Sequence, residues 1–396
     1  MEIYSFFIFL VLYTVFCILL YFVSKKLNVK LSYIYLFFTL HAILCLIGNT
    51  YNVLPHFPDA NHFHEMAISV IENQFYSGNL GMETSFGALL YIKIIIVPMY
   101  LLFGYFAPNV ILLNIFFTTI SFAILYYLTS ELSNNNKIAL FFTFMLAILY
   151  PSFSLFSLIL VREPIVVFGL SLLIYIMYKT SKNGLEFKDI WIILLCLFLV
   201  IGLRPQNAPI ILGVIFLFFI MSEKITRPRK LLTIIFFIGL IVVLMETPFL
   251  RFMNSINPDY LSAYRYSQVI KLDAYLPDIH YQNWIDVFLS VPSLTFYYLL
   301  VPFPWVPSSY FNFLFALDSL FCIFLIFLGL LGFWKVKKKE KQFSWLIIYL
   351  VLVSVISYSL VEVYYGGAVR HRMQQLFILI PFASIYLSKI IRVKRK

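Results

Sequence analysis

The chain predicts an all-α fold, a polytopic membrane helix bundle, on three observations. Of its 396 residues, 62% are hydrophobic and 12% charged, whereas soluble domains carry about 25% charged residues. The apolar residues form runs long enough to cross a bilayer, which takes about 20 residues each. Between the runs lie short clusters of Lys and Arg, the pattern left when basic loops stay on the cytoplasmic side. With 19% aromatic residues and a mean hydropathy of +0.93, a soluble enzyme, a disulfide scaffold and a disordered chain are excluded. The net charge of +11 does not mark a nucleic-acid binder, because its cations sit between membrane segments.

Twelve apolar segments follow in order: Tyr4 to Val23, Leu31 to Gly48, Phe86 to Phe106, Asn109 to Leu132, Ile138 to Tyr150, Pro164 to Tyr178, Ile190 to Leu203, Ala208 to Met221, Leu231 to Thr247, Phe311 to Trp334, Phe343 to Val361 and Met373 to Ile390. The first has neither a basic leader nor a small-residue cleavage site and reads as a retained helix. Cys17, Cys45, Cys196 and Cys322 all fall inside apolar runs and read as small buried hydrophobes.

The basic clusters are Lys25/Lys26/Lys30, Lys137, Lys179/Lys182/Lys188, Lys224/Arg227/Arg229/Lys230, Lys335/Lys337/Lys338/Lys339/Lys341 and Lys389/Arg392/Lys394/Arg395/Lys396. All can share one side only if Phe86 to Phe106 does not cross. Lys93 and Pro98 within it agree, since a central Lys costs about 2.5–3.5 kcal/mol on insertion scales. That segment is therefore expected as an interfacial or re-entrant piece on the outer face. About 11 crossings remain, with the N-terminus outside and the C-terminus cytoplasmic. The inner side then holds 21 basic and 5 acidic residues, net +16, and the outer side 8 basic and 13 acidic, net −5. No internal repeat is visible, so residues 1–396 are expected to form one integral membrane domain. Its outer parts are a first loop over 49–87, a Tyr- and Pro-rich loop over 249–310 ending in Val301 to Pro307, and an Arg-rich loop over 362–372.

Four outer constellations carry chemistry. Phe57-Pro-Asp-Ala-Asn-His-Phe-His-Glu-Met-Ala67 opens an amphipathic surface helix with Phe63, Ala67, Val70 and Ile71 on one stripe. Asp59 at its start reads as an N-cap or as a general base. His62 and His64, near Asp59 and Glu65, are weak candidates for holding a divalent metal, with His56 just upstream. Next come Arg162 and Glu163, adjacent ions in the turn from Tyr150 to Pro164, readable as a local pair or as functional charges. Arg204, in Gly202-Leu-Arg-Pro-Gln-Asn207, reads as a snorkelling cation or a ligand. Last, Glu362-Val-Tyr-Tyr-Gly-Gly-Ala-Val-Arg-His-Arg372 sets Arg370, His371 and Arg372 on the side where Arg is disfavoured. A guanidinium suits a phosphate through its charged, planar pair of donors.

The order of these features resembles the glycosyltransferase-C superfamily, polytopic enzymes that take sugars from polyprenyl-phosphate carriers, and within it the protein-mannosyltransferase-like bacterial members. The resemblance runs from Pro58-Asp59 through the Pro151 to Glu163 turn and Leu203-Arg204-Pro205 to Gly366 and Arg370-His371-Arg372. It implies a polyprenyl-phosphate sugar as donor and a glycan or protein acceptor. Asp59 would act on the acceptor, Glu163 would be the second acidic position, and Arg370, Arg372, His371, Arg204 and Arg162 would hold the carrier phosphate. It also implies a bacterial plasma membrane and an outer-face active site in envelope or surface-glycan synthesis. A phosphate leaving group needs no strong general acid, so one base and a cationic cradle suffice. The alternatives are a polymerase or ligase acting on undecaprenyl-diphosphate-linked repeats, and a lipid-linked sugar flippase or transporter. A transporter commonly shows repeated halves and mid-membrane ions.

Overall fold

The computed structural model describes residues 3–54, 57–72, 85–222, 224, 228, 257–269, 274–303 and 310–394. The protein is an all-α polytopic membrane helix bundle, with no strand among the described residues and one isolated bridge, Ala274 to Tyr364. Eight described helices are long and apolar enough to cross a membrane, or nine if a bent pair counts as one span. Two further expected crossings are shorter helices, Phe187–Leu197 with its π turn at Phe198–Gly202, and Ala208–Met221. The segment expected over Leu231 to Thr247 lies outside the described residues, as do His56 and most of Val301 to Pro307. By contacts the chain falls into two compact units: residues 1–176, 190–208 and 380–396, and residues 177–189 and 209–379.

In the first unit, α1 (Ile3–Leu27) and α2 (Leu31–Thr50) pack on each other and on α6 (Ala107–Ser133). Burial ranks them: 78% of the apolar window of α6 is buried against 22% for α1, so α6 is the central post and α1 the lipid-facing edge. Aromatic rings lock the contacts, with Phe16 stacked on Phe116 at 4.7 Å and Phe37 on Phe122 at 5.0 Å between ring centres. Pro108 starts α6 where its missing N–H costs nothing. The helix ends on Asn134 and Asn135, both at positive φ, and Asn136 caps α7 (Lys137–Leu149) by accepting from the Ile138 N–H at 3.2 Å. The Asn136 amide also donates to Ser388 at 3.0 Å, fastening the last helix, Ile380–Lys394, against this turn. After α7 the chain bends by 62° into the short α8 (Pro151–Ser157), because Tyr150 is extended and Pro151 opens a new helix.

The segment that charge parity singles out is one continuous helical rod, not a hairpin: α4 (Phe86–Tyr91), a π turn at Ile92–Ile96 that includes Lys93, and α5 (Val97–Phe103). Its length would suffice to cross. Both of its ends are tied down within the unit. Gly87 rests against the Leu203 carbonyl and the Arg162 guanidinium. The Phe103 carbonyl accepts from Asn109, at the start of α6, at 3.3 Å. The amphipathic helix α3 (Pro58–Ile71) lies along this rod, with Phe63 against Tyr91 and His64 bonded to Tyr100.

In the second unit, the helix Trp284–Leu300 packs between Tyr310–Val336 and Lys341–Val361. An Asn283–Asp286 capping box fixes its start. Lys182 pairs with Glu340, and Lys179 with Asp189 at 2.9 Å, so acids interspersed with the basic clusters are ion-pair partners. The 362–372 stretch, expected as a loop, is helical from Tyr365 (helix Tyr365–Leu376). Gly366 and Gly367 enter its first turn because a Cβ there would run into the Tyr364 ring and the Glu362 carboxylate, respectively.

A Cβ on Gly87 would collide with the Leu203 backbone, while one on Gly213 meets nothing within 4 Å. Gly87→Ala is therefore expected to cost about 1–3 kcal/mol, as forced overpacking does. Gly213→Ala should be neutral or stabilising by up to about 1 kcal/mol. Thermal unfolding of the two purified variants in one detergent checks the contrast.

Candidate functional site

Arg162 and Glu163 stand at the end of a short non-helical stretch, Leu158 to Arg162, between α8 and α9 (Glu163–Asn183). Unwound backbone inside an apolar bundle must find its hydrogen bonds within the protein. Asn114, fully buried in α6, supplies them: its amide donates to the Ile159 carbonyl at 3.0 Å and the Val161 carbonyl at 2.9 Å. The Tyr91 hydroxyl closes the group against the Asn114 carbonyl oxygen at 3.5 Å. The rod that carries Tyr91 is thereby joined to the turn that carries Arg162 and Glu163.

Glu163 opens α9 and is 1% exposed, and its carboxylate accepts from Arg204, which is 4% exposed. A desolvated pair of this kind is costly to form and far more costly to halve. Arg204 is thus committed to Glu163, a partner 41 residues away. Arg162 is half-buried and donates to the Ser85 hydroxyl at 3.3 Å, at the start of the rod.

Asp59 is half-buried in the first turn of α3, with Pro58 beside it. Phe57, and not Asp59, occupies the N-cap position, and no side chain caps the helix. The carboxylate therefore meets the positive end of the helix dipole. His62 is half-buried against Phe63. His64 Nδ1 lies 2.6 Å from the Tyr100 hydroxyl, and burial lowers its pKa from the ordinary imidazole value although Glu65 opposes the shift. Among the described residues no three His, Cys, Asp or Glu side chains come together as a metal-holding group, and His62 and His64 gain no carboxylate or thiol to complete one. Ala60, the residue after Asp59, lines a pocket of about 190 Å³ walled by the end of α2, the first turns of α3, the start of α6 and Leu158 to Leu160.

In the second unit, the three residues of the Arg-rich segment separate by environment. Arg372 is fully buried. Its guanidinium donates to Asp318 at 2.9 and 3.2 Å, to Ser319 at 2.8 Å and to the carbonyls of Val301 and Leu299 at 2.6 and 3.1 Å. Those acceptors use its fork, so Arg372 ties helices together where the sequence offers it as a phosphate ligand. His371 is buried over the Tyr358 ring, with Nε2 3.3 Å from Glu362. Arg370, on the same helix, is half-buried. Sequence reasoning passes over Asp318, although an acid inside an apolar run is itself a signal of a buried partner. It also passes over Arg265, fully buried and donating to the Leu276, Leu360 and Glu362 carbonyls at 3.1–3.4 Å.

No protein-family model, curated protein or solved structure matches the chain.

Two outcomes follow from this division. Asn114→Leu strands two buried carbonyls and should cost about 1–3 kcal/mol for each, read as a lower unfolding temperature and as new tryptic cleavage after Arg162. Arg372→Met and Arg204→Met each leave a buried carboxylate without its cation and should cost about 3–5 kcal/mol, whereas Arg162→Ala and Arg370→Ala should purify as folded protein. Size-exclusion profiles and unfolding temperatures of the four variants decide this, and equal damage by all four would contradict it.

Proposed function

We propose that the protein is a membrane glycosyltransferase that moves a sugar from a polyprenyl-phosphate carrier to a hydroxyl acceptor, in envelope or surface-glycan synthesis. The observation that carries the reading is the place of Asp59: a half-buried carboxylate on the first turn of a surface helix, with its neighbour Ala60 lining a pocket and Arg162 following that pocket's Leu158 to Leu160 wall. The sequence order of Asp59, Glu163, Arg204 and Arg370 along a polytopic chain supports it through the resemblance to the glycosyltransferase-C superfamily. The charge asymmetry supports a bacterial plasma-membrane orientation with the N-terminus and this pocket outside.

In this mechanism the Asp59 carboxylate takes the proton of the acceptor hydroxyl as its oxygen attacks the anomeric carbon. The bond from that carbon to the carrier phosphate breaks, and the bonding pair leaves with the phosphate. The Arg162 guanidinium stabilises the charge that develops there. The buried Glu163–Arg204 pair holds the turn beneath and touches neither substrate. Asp59→Asn keeps the size and helix position of the side chain but removes the base. Protein reconstituted in nanodiscs with a polyprenyl-phosphate sugar and candidate acceptors should release polyprenyl phosphate about 10²–10⁴-fold more slowly with this variant, at unchanged carrier binding. Unchanged turnover would remove Asp59 from the mechanism.

A further inference from the structure

The pocket that Ala60 lines has a chemical character that the phosphate-handling residues do not share. Among the described residues, no Lys, Arg, Asp or Glu lines it. Its polar groups are three amides and an imidazole: Asn49, Asn52, Asn61 and His64. Asn49 spends its Nδ2 on the Cys45 carbonyl at 2.8 Å, which leaves its side-chain carbonyl oxygen to accept. Asn52 and Asn61 make no side-chain hydrogen bond to any described residue. His64 spends Nδ1 on Tyr100, leaving Nε2. The lining also holds Ile111 and Leu158 to Leu160.

Each element has a fold reason that falls short of explaining the amides. Asn52 is the left-handed residue that ends α2, with the Val53 N–H returning to the Gly48 carbonyl at 3.1 Å. Glycine would serve that turn as well, so the backbone does not demand an amide. Asn61 is exposed on α3, where asparagine is a poor helix former. Asn52 and Asn61 make no side-chain bond to the described backbone around them.

From this pocket we infer that the protein binds one uncharged sugar ring there, as the acceptor subsite of the transfer proposed above; the inference rests on that reading. Amides carry both an acceptor and two donors, and so match neighbouring hydroxyls, which also do both. The apolar wall fits the C–H face of a pyranose. Among the described lining residues a phosphate would find no cation. At about 190 Å³ the space is below the about 300–1,000 Å³ of drug-sized sites and suits a single ring. Burial shifts the His64 imidazole towards its neutral form, in which the ring can both donate and accept.

The test uses the full chain in nanodiscs and three probes, the methyl pyranosides of glucose, mannose and N-acetylglucosamine, by saturation-transfer NMR. At least one should show transfer from the protein. That signal should fall at least fivefold in Asn61→Ala, in Asn52→Gly, which keeps the turn, and in Ala60→Leu, which fills the space, all at unchanged unfolding temperature. Absence of transfer to all three probes, or transfer unaffected by the three variants, overturns the pocket assignment. Carrier turnover that needs Asp59 but ignores the pocket variants would also overturn it, leaving the glycosyltransferase reading in place. Variant-sensitive probe binding without turnover of any carrier would uphold the sugar site and remove its acceptor role with the transferase reading.

Discussion

The side-chain amide of Asn114 is the contact on which the first unit turns. A chain that unwinds inside an apolar bundle leaves carbonyls with no water to satisfy them, and such a stretch persists only where the protein supplies donors. The bend at Tyr150 and the unwinding over Leu158 to Arg162 create this demand, and the α6 amide meets it at Ile159 and Val161. The same few residues then wall the pocket at Leu158 to Leu160, present Arg162 and start α9 at Glu163. Fold and candidate site are thus one arrangement, since loss of the donors would release the wall and both ions together.

Burial sorts ions that look alike in the sequence. Arg162, Arg204, Arg370 and Arg372 all stand next to apolar residues in the sequence. Two of them are sealed against carboxylates, Arg204 on Glu163 and Arg372 on Asp318. Removing two charges from water costs several kcal/mol per ion, which their mutual attraction and extra hydrogen bonds must offset. Arg372 meets that demand with carbonyls from the end of a neighbouring helix, so its fork crosslinks the unit.

The helices were legible because a bilayer imposes a length and an apolar composition that hydropathy reads directly, as for α1, α2 and α6. The Phe86 to Phe103 segment was legible as helix, but its continuity was not, because Lys93 and Pro98 signal an interruption that the π turn at Ile92–Ile96 absorbs. The helical state of Tyr365 to Leu376 was not, because Gly366-Gly367 signals a bend when the Tyr364 ring and Glu362 beside them are unseen. Ion-pair partners were hidden for a related reason: Asp318 and Arg372 are 54 residues apart, and only packing joins them. The amides of the pocket carry no motif, since Asn49, Asn52 and Asn61 share no spacing that the sequence singles out.

The contact between Lys182 and Glu340 spans 158 residues of chain. A ribosome delivers Lys182 long before Glu340 exists, so the lysine bears its full charge while the helix before it is being oriented. The later acid then quenches that charge in the finished protein. Charge that steers insertion and charge that remains on the mature surface are therefore separable quantities, and sequence positivity overstates the field that the folded basic end presents to the lipid headgroups.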